Sequence, residues 1–168
     1  MLPSLALTCA DRGRICPVDA VDRKILAVLQ GEGRLSLTEL ANRVRLSPSP
    51  CHRRLRALER DGTIRGYRAV IDPVALGLTF EALVFVTMRQ EDRDTLLGFE
   101  AAIARVPNVL QAQRLFGDPD YLLRIVTEDL AAYQRLEDDV LSALPGVQRL
   151  NSTLVMKQVV ADRPLPTD

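Results

Sequence analysis

Leu46-Ser-Pro-Ser-Pro-Cys-His-Arg-Arg-Leu-Arg-Ala-Leu-Glu-Arg-Asp-Gly62 decides how the rest of the chain is read, because it is a helix with its own entrance and exit. Ser47 or Ser49 is placed to cap the N-terminus, and Pro48 and Pro50 fall in the first turn, where a missing N–H costs nothing. Gly62 accepts the left-handed conformation on which helices commonly end. At helical spacing Cys51, Leu55 and Leu58 gather on one face. Ser49, Arg53, Arg56 and Arg60 line the opposite one, with His52 at its edge. An apolar stripe backed by guanidiniums suits a helix that docks on a small core and offers its other side to a polyanion. An isolated helix with a solvated charged face would read the same way, so the flanking segments decide.

Upstream, residues 1–18 show no periodicity and are expected to form a flexible arm. Asp19-Ala-Val-Asp22 reads as the acidic first turn of a helix, favourable against the helix dipole. Val21, Ile25, Val28 and Leu29 form its buried stripe, and Gly31 ends it. Ser36-Leu-Thr-Glu39 is a capping box opening a second helix, with Leu37, Leu40, Ala41 and Val44 inward. The short turn Arg45-Leu-Ser47 leads into the basic helix. Downstream, Thr63-Ile-Arg-Gly-Tyr-Arg-Ala-Val-Ile71 reads as a strand in the position of a wing.

Together these elements predict a winged helix-turn-helix over residues 19–71, a combination far more specific than any of its parts. In that setting the basic face becomes one that reads double-stranded DNA. Ser49, His52, Arg53 and Arg56 lie near the helix end that normally meets base edges, and Ser47 at its mouth is grouped with them. Arginine pairs bidentately with guanine, while serine and histidine hydrogen-bond several bases. Arg60, Arg65 and Arg68 lie further along, and Arg43 and Arg45 flank the turn; all are expected on phosphates. Arg54 sits beside the apolar stripe, and two roles stay open for it: packing along its stem or reaching a phosphate.

The formal charge of the 168-residue chain is zero, but its distribution is not. Residues 19–71 hold eleven Lys/Arg against six Asp/Glu, whereas residues 72–168 hold nine against fifteen. A basic N-terminal module asks for a nucleic-acid partner, and the acidic remainder argues against that partner touching the second half. Cys9, Cys16 and Cys51 are odd in number and match no zinc framework, so Cys51 is expected as a small core residue. No apolar run reaches the roughly 18–20 residues of a spanning helix. Residues 1–10 lack the basic start of a secretory signal, which makes the cytoplasm the expected compartment.

A linker over 72–81, punctuated by Asp72-Pro73 and Gly77, leads into a different pattern. Ala82–Met88 is a near-continuous apolar run, read as a strand with both faces covered. Thr95–Val106 is helical, with Leu96, Phe99, Ile103 and Val106 on one face, and Pro107-Asn108 breaks it. Val109–Phe116 and Tyr121–Val126 are strands joined by Gly117-Asp-Pro-Asp120, which is turn chemistry throughout. Leu130–Leu144 reads as one long helix stopped by Pro145-Gly146, and Val147–Val160 as a long last strand. The order β-α-β-β-α-β predicts a ferredoxin-like domain over 82–160, and the Pro-containing tail 161–168 is expected to be loose. The fold class is α+β.

Asp118 and Asp120 sit close together in the turn, but no His, Cys or further acid stands nearby in sequence to build a metal or acid–base site. The one histidine lies on the basic helix, and no phosphate-cradling glycine loop occurs. Catalysis, metal and cofactor are therefore not expected.

These residues resemble the Lrp/AsnC, or feast/famine, bacterial transcriptional regulators. Val18-Asp-Ala-Val-Asp-Arg-Lys-Ile-Leu26 is similar to the family's first helix, and Leu46-Ser-Pro-Ser-Pro-Cys51 to its turn and helix start. Arg53-Arg-Leu-Arg-Ala-Leu-Glu59 with Gly62-Thr-Ile-Arg-Gly-Tyr67 resembles the recognition helix and wing. Phe116-Gly-Asp-Pro-Asp-Tyr-Leu-Leu123 and Leu144-Pro-Gly-Val147 resemble the effector domain. The likeness covers residues 18–160. It implies dimers paired through the effector domain and often assembled into octamers, with amino acids as effectors bound near the Gly117–Tyr121 loop. On that basis Gly117, Asp118, Asp120 and Tyr121 are the candidate effector-binding residues, the carboxylates for an ammonium and the backbone N–H groups for a carboxylate. The expected function is a sequence-specific DNA-binding regulator answering to an amino acid. The rival readings are an architectural DNA-binding protein without effector response and an amino-acid-metabolism enzyme with a borrowed sensor domain.

Overall fold

The computed structural model describes residues 18–161 and 163–167. The expected arm therefore lies, but for Val18, outside the described residues. Two compact units divide the chain: residues up to Ala69 together with the tail from Val160, and Val70–Val159.

In the first unit, α1 spans Ala20–Gly31. Asp19 is not inside its first turn but caps it, accepting the N–H groups of Val21 and Asp22, each at 2.8 Å. The N–H of Asp22, and after it Arg54, hold the Asp19 carboxyl below its ordinary range. The second helix, α2 (Leu37–Arg43), opens with the capping box the sequence announces: Glu39 N–H donates to Ser36 Oγ at 3.3 Å, and Ser36 N–H to the Glu39 carboxylate at 2.8 Å. The third, α3, spans Pro48–Arg60. Ser47 occupies its cap position but makes no side-chain bond there. Pro50 stands at the third helical position and has no N–H to donate, which removes one of the two donors a cap normally uses. Gly62 ends the helix at φ 74°, and its N–H returns to Glu59 O at 3.2 Å.

The core of this unit is Ile25, Leu40, Ala41, Val44, Cys51 and Leu58, one to three residues from each helix, closed over by Leu26, Val28, Leu29, Leu37, Leu46, Leu55 and Ile64. Cys51 is a buried free thiol, and burial pushes its pKa up, which suits packing and not reactivity.

Thr63–Ile71 carries no strand hydrogen-bonding in the described chain, contrary to the expected wing strand. A strand is defined by its ladder partner, and the described residues of the three-helix unit offer none. The segment is instead tethered side by side to α3: Ile64 N–H donates to Leu58 O at 2.9 Å and the Tyr67 hydroxyl to Glu59 at 3.1 Å. The tail has no helix or strand in its described residues, but it is less loose than expected. The Gln30 amide exchanges two hydrogen bonds with the Leu165 backbone, at 2.7 and 3.2 Å.

The second unit begins with a 3₁₀ turn, Pro73–Leu76, capped by Asp72. It continues through β1 (Phe80–Met88), α4 (Arg93–Ile103), β2 (Val109–Arg114), β3 (Tyr121–Thr127), α5 (Leu130–Leu136) and β4 (Val147–Leu154). The sheet is antiparallel in the order β2-β3-β1-β4, the ferredoxin-like arrangement. Its core joins Ala82, Val84, Val86 and Met88 of β1 with Tyr121, Leu123 and Ile125 of β3 and with Leu96, Phe99, Ile103, Tyr133 and Leu141 from the helices.

Three expectations about this unit are corrected. β1 is covered on one face only: Ala82, Val84, Val86 and Met88 are buried, while Glu81, Leu83, Phe85 and Thr87 stay partly exposed, because both helices pack on the same side. The long helix forms but passes after Leu136 into a π turn, Glu137–Leu141, and ends there and not at Leu144; Glu137 accepts from Ser152 of β4 at 2.9 Å. β4 stops at Leu154, since its partner β1 begins at Phe80 and the last ladder bond beyond the strand is Val155 N–H to Glu81 O.

Candidate nucleic-acid interface and effector site

The outer face of α3 presents Ser49, His52, Arg53, Arg56 and Arg60, all exposed. Arg53 has no hydrogen-bond or ion-pair partner among the described residues, so its guanidinium is available. Arg56 touches His52 Nε2 at 3.3 Å and Glu59 at 3.4 Å, and Arg60 pairs with Asp61 at 3.1 Å. Their side chains remain 70% and 75% exposed, and such solvated pairs are weak enough to be exchanged for phosphate. Arg65 and Arg68 are exposed on the extended segment after the helix.

Arg54 is engaged within the fold. Its Nη1 donates to Asp19 at 2.6 Å and to Asp22 at 2.9 Å, clamping α3 to the cap and first turn of α1. A phosphate contact from Arg54 would have to compete with this clamp. Arg43 is also engaged: both its terminal nitrogens donate to the Glu32 carboxylate, one at 2.8 Å, and this pair raises the Arg43 pKa and lowers that of Glu32. A phosphate contact from Arg43 would have to compete with that pair. Sequence reasoning missed Asp19, Asp22 and Glu32 as partners, because each lies a helix away from the arginine it holds.

Arg45 sits in the turn at φ 58°, a left-handed conformation that costs an ordinary residue about 1–2 kcal/mol. Glycine would fit this position better, so the exposed Arg45 is a cation that stability does not require there. We expect Arg45→Gly to leave thermal stability unchanged or raised, and to reduce the slope of log affinity for DNA against log salt by about 1. Melting curves and a salt titration of DNA binding check both halves.

At the far end of the second unit, Gly117–Asp120 turns β2 into β3. Leu115 N–H donates to Asp120 O at 2.7 Å, Gly117 has φ 125°, and the Asp118–Pro119 bond is cis. Two of the candidate effector residues have other employment. The Asp120 carboxylate accepts Met88 N–H at 2.7 Å, taking the place of a ladder carbonyl where β3 turns away from β1. Tyr121 is buried against Phe99 (ring centroids 4.6 Å apart), and its hydroxyl donates to Glu100 at 3.0 Å. Burial, then Glu100, pushes the Tyr121 pKa up to about 12. Its ring belongs to the core, which leaves only its backbone for a ligand. Asp118 is exposed and has no partner among the described residues. At the same end of the sheet lies a cleft of about 360 Å³ lined by Glu91, Arg93, Leu96, Leu97 and Arg114, none of which the sequence singled out. The available signal was position: Arg114 ends β2 opposite Tyr121, and Glu91 and Arg93 flank the cap of α4.

A three-helix DNA-reading unit followed by a ferredoxin-like domain with a charged cleft defines a ligand-binding regulator of transcription. Residues 18–65 match the model of a winged helix-turn-helix DNA-binding domain, and residues 81–165 match that of the Lrp/AsnC ligand binding domain. The chain belongs to the Lrp/AsnC family. It is 39% identical to the leucine-responsive regulatory protein of Salmonella typhimurium, across 84% of this chain and 87% of that one. It is also 39% identical to the proline dehydrogenase transcriptional activator of Rhodobacter capsulatus, across 85% and 93%. Among solved structures, a transcriptional regulator from Neisseria meningitidis in complex with L-methionine superposes with a TM-score of 0.85 at 39% identity, covering 89% of this chain and 97% of that one. A feast or famine regulatory protein from M. tuberculosis complexed with L-methionine gives 0.79 at 29% identity, covering 88% and 97%. These relatives are regulators of transcription and not enzymes, and the protein is a DNA-binding transcriptional regulator with an effector-binding domain.

Proposed function

We propose that the protein reads a specific operator through Arg53, with Ser49 and His52 beside it, while Arg45, Arg56, Arg60, Arg65 and Arg68 bind phosphates. The observation that carries this is the uncommitted Arg53 on the exposed face of α3, set against Arg54, which the fold ties down. A free amino acid is the effector, as the L-methionine complexes of two relatives support. It works in the cytoplasm; no described helix is long and apolar enough to cross a membrane. The effector acts by binding one assembly state better than another, and it shifts the balance only by that difference. Titrating fluorescent operator DNA with protein, with and without each proteinogenic amino acid, tests the reading. At least one amino acid should change the apparent affinity, and none doing so would remove the effector from it.

The protein assembles with itself through the uncovered face of its sheet, as dimers that can build octamers. That face carries Leu83, Phe85 and Leu122 beside a bidentate Arg124–Glu81 pair at 2.8 and 3.1 Å. Both alternations of β1 are largely apolar, more than one layer of two helices covers, and a second copy supplies the missing layer. Leu122→Arg in the full chain is expected to give a monomer by light scattering at micromolar concentration, where the wild type is at least dimeric. A wild type that is already monomeric would refute the assembly.

A further inference from the structure

We propose that neutral His52 is a positioning residue for DNA reading: its ring fixes the Arg56 guanidinium on the outer face of α3. Protonation of the ring releases Arg56, so discrimination between operator and random DNA falls as the pH falls. The inference rests on the reading of α3 as the recognition helix and adds the group that sets the state of its outer face.

The starting point is the direction of one hydrogen bond. Arg56 Nε–H donates to His52 Nε2 at 3.3 Å, between residues one helical turn apart. An imidazole nitrogen accepts only while it carries no proton, so the contact requires a neutral ring with its one hydrogen on Nδ1. Arg56 continues the array. Its Nη1 donates to Glu59 at 3.4 Å, and the other oxygen of that carboxylate accepts the Tyr67 hydroxyl at 3.1 Å. Arg56 and Glu59 on α3, with Tyr67 from the segment that follows, are the charged and titratable groups of this array, and Arg53 adjoins His52 in sequence. Among the described residues no other hydrogen bond or ion pair reaches His52.

The contact occupies the inner nitrogen of the guanidinium and leaves the terminal fork for a phosphate. The long pair with Glu59 is the one exchanged on binding. An exposed arginine gives up rotamer freedom when a ligand holds it; anchored at Nε, Arg56 meets its phosphate in one orientation. Phosphate contacts carry no sequence information, but they fix the register of the protein on the duplex. Register decides whether Arg53 reaches a base edge.

A proton on Nε2 removes the acceptor and sets a second cation against Arg56. The face then holds any polyanion more strongly while Arg56 no longer fixes one register. Histidine is the side chain whose charge ordinarily changes between pH 5 and 8, and His52 is the chain's one histidine. Random DNA draws a proton onto the ring, whereas the operator complex needs the ring without it. By linkage the operator-to-random ratio falls with acid, by at most about tenfold per pH unit for a single group.

The test is competition binding of the full-length protein with operator and scrambled duplexes at constant salt, from about pH 7.5 to about pH 5.5. Wild type is compared with His52→Gln, His52→Ala, Arg56→Ala and the double variant His52→Ala/Arg56→Ala. Melting temperatures at both ends of the range establish that each is folded. The wild-type ratio should fall about fivefold or more across the range, with random DNA gaining affinity. A glutamine amide oxygen accepts from Arg56 at either pH, so the ratio in His52→Gln should not change with pH and should exceed that in His52→Ala. At the upper pH, His52→Ala should lower the ratio much less when Arg56 is already alanine, a coupling that a role in folding would not produce. A wild-type preference that stays constant across the range, or that His52→Gln loses with acid to the same extent, would overturn the role of His52 and leave operator reading in place. No preference for operator at the upper pH would overturn both.

Discussion

Gly146→Ala should be among the most damaging single substitutions in the chain. Gly146 has φ 72°, and a Cβ added there would lie 2.2 Å from Thr95 Cγ2 and 2.9 Å from Met88 Cε. Met88 Cε ends a flexible side chain and can give way, but the Thr95 methyl cannot: Thr95 is fixed through both its N–H and its hydroxyl to Asp92, the cap of α4. Left-handed backbone with a side chain and forced overpacking together cost about 2–5 kcal/mol, out of a total stability of roughly 5–15 kcal/mol. Each kcal/mol lowers the melting temperature by roughly 4–8 °C in a domain of this size. Gly77→Ala is the control: its φ is 76°, but nothing lies within 4 Å of the added carbon, so only the backbone cost applies. A melting temperature for Gly146→Ala no lower than that of Gly77→Ala would mean that the packing between the start of α4 and the approach to β4 is misdescribed.

Arg53→Ala should remove discrimination and not merely affinity. A bidentate arginine–guanine contact is worth about 1–3 kcal/mol against the wrong base, or roughly 5–150-fold in the ratio of operator to random-DNA binding. Arg60→Ala, by contrast, should weaken both DNAs alike and flatten the salt dependence, since a phosphate contact carries no sequence information. The two arginines lie on the same exposed helix face, so the comparison isolates what each touches. Competition binding with operator and scrambled duplexes checks it. An intact preference in Arg53→Ala would place a different residue against the bases.

The parts of this fold that are legible in the sequence are those that local chemistry dictates. The Ser36–Glu39 capping box, the glycine that ends α3, and the spacing of Ile25, Leu40, Ala41, Cys51 and Leu58 each depend on residues within a turn or two. So does the order of strands and helices in the second unit. What escaped depends on distant partners. Thr63–Ile71 has a strand's composition but no ladder to join, and β4 ends where β1 has nothing further to offer. The apolar run of β1 reads as buried on both faces, although the helices cover one; composition records that a face wants covering without saying by what.

The candidate site was legible to the same degree. Periodicity placed Ser49, Arg53, Arg56 and Arg60 on one exposed face without difficulty. It set Arg54 apart, beside the apolar stripe, but could not say what holds it, because its partners are a pair of aspartates more than thirty residues away. Tyr121 and Asp120 looked available beside Gly117, yet one completes the core and the other closes the end of a strand. The charged residues that line the cleft come from the loop before α4, the first residue of that helix and the end of β2, and only the fold brings them together.

Nuclease footprinting of the full-length protein on DNA enriched from a random pool tests the central claim most directly. If α3 reads sequence from a symmetric assembly, protection should fall on discrete half-sites about one helical turn apart or a multiple of it, roughly 10–10.5 bp centre to centre, and Arg53→Ala should erase that pattern while retaining weak general binding. Even protection with no preferred register, unchanged in Arg53→Ala, would mean that the protein coats DNA without reading it.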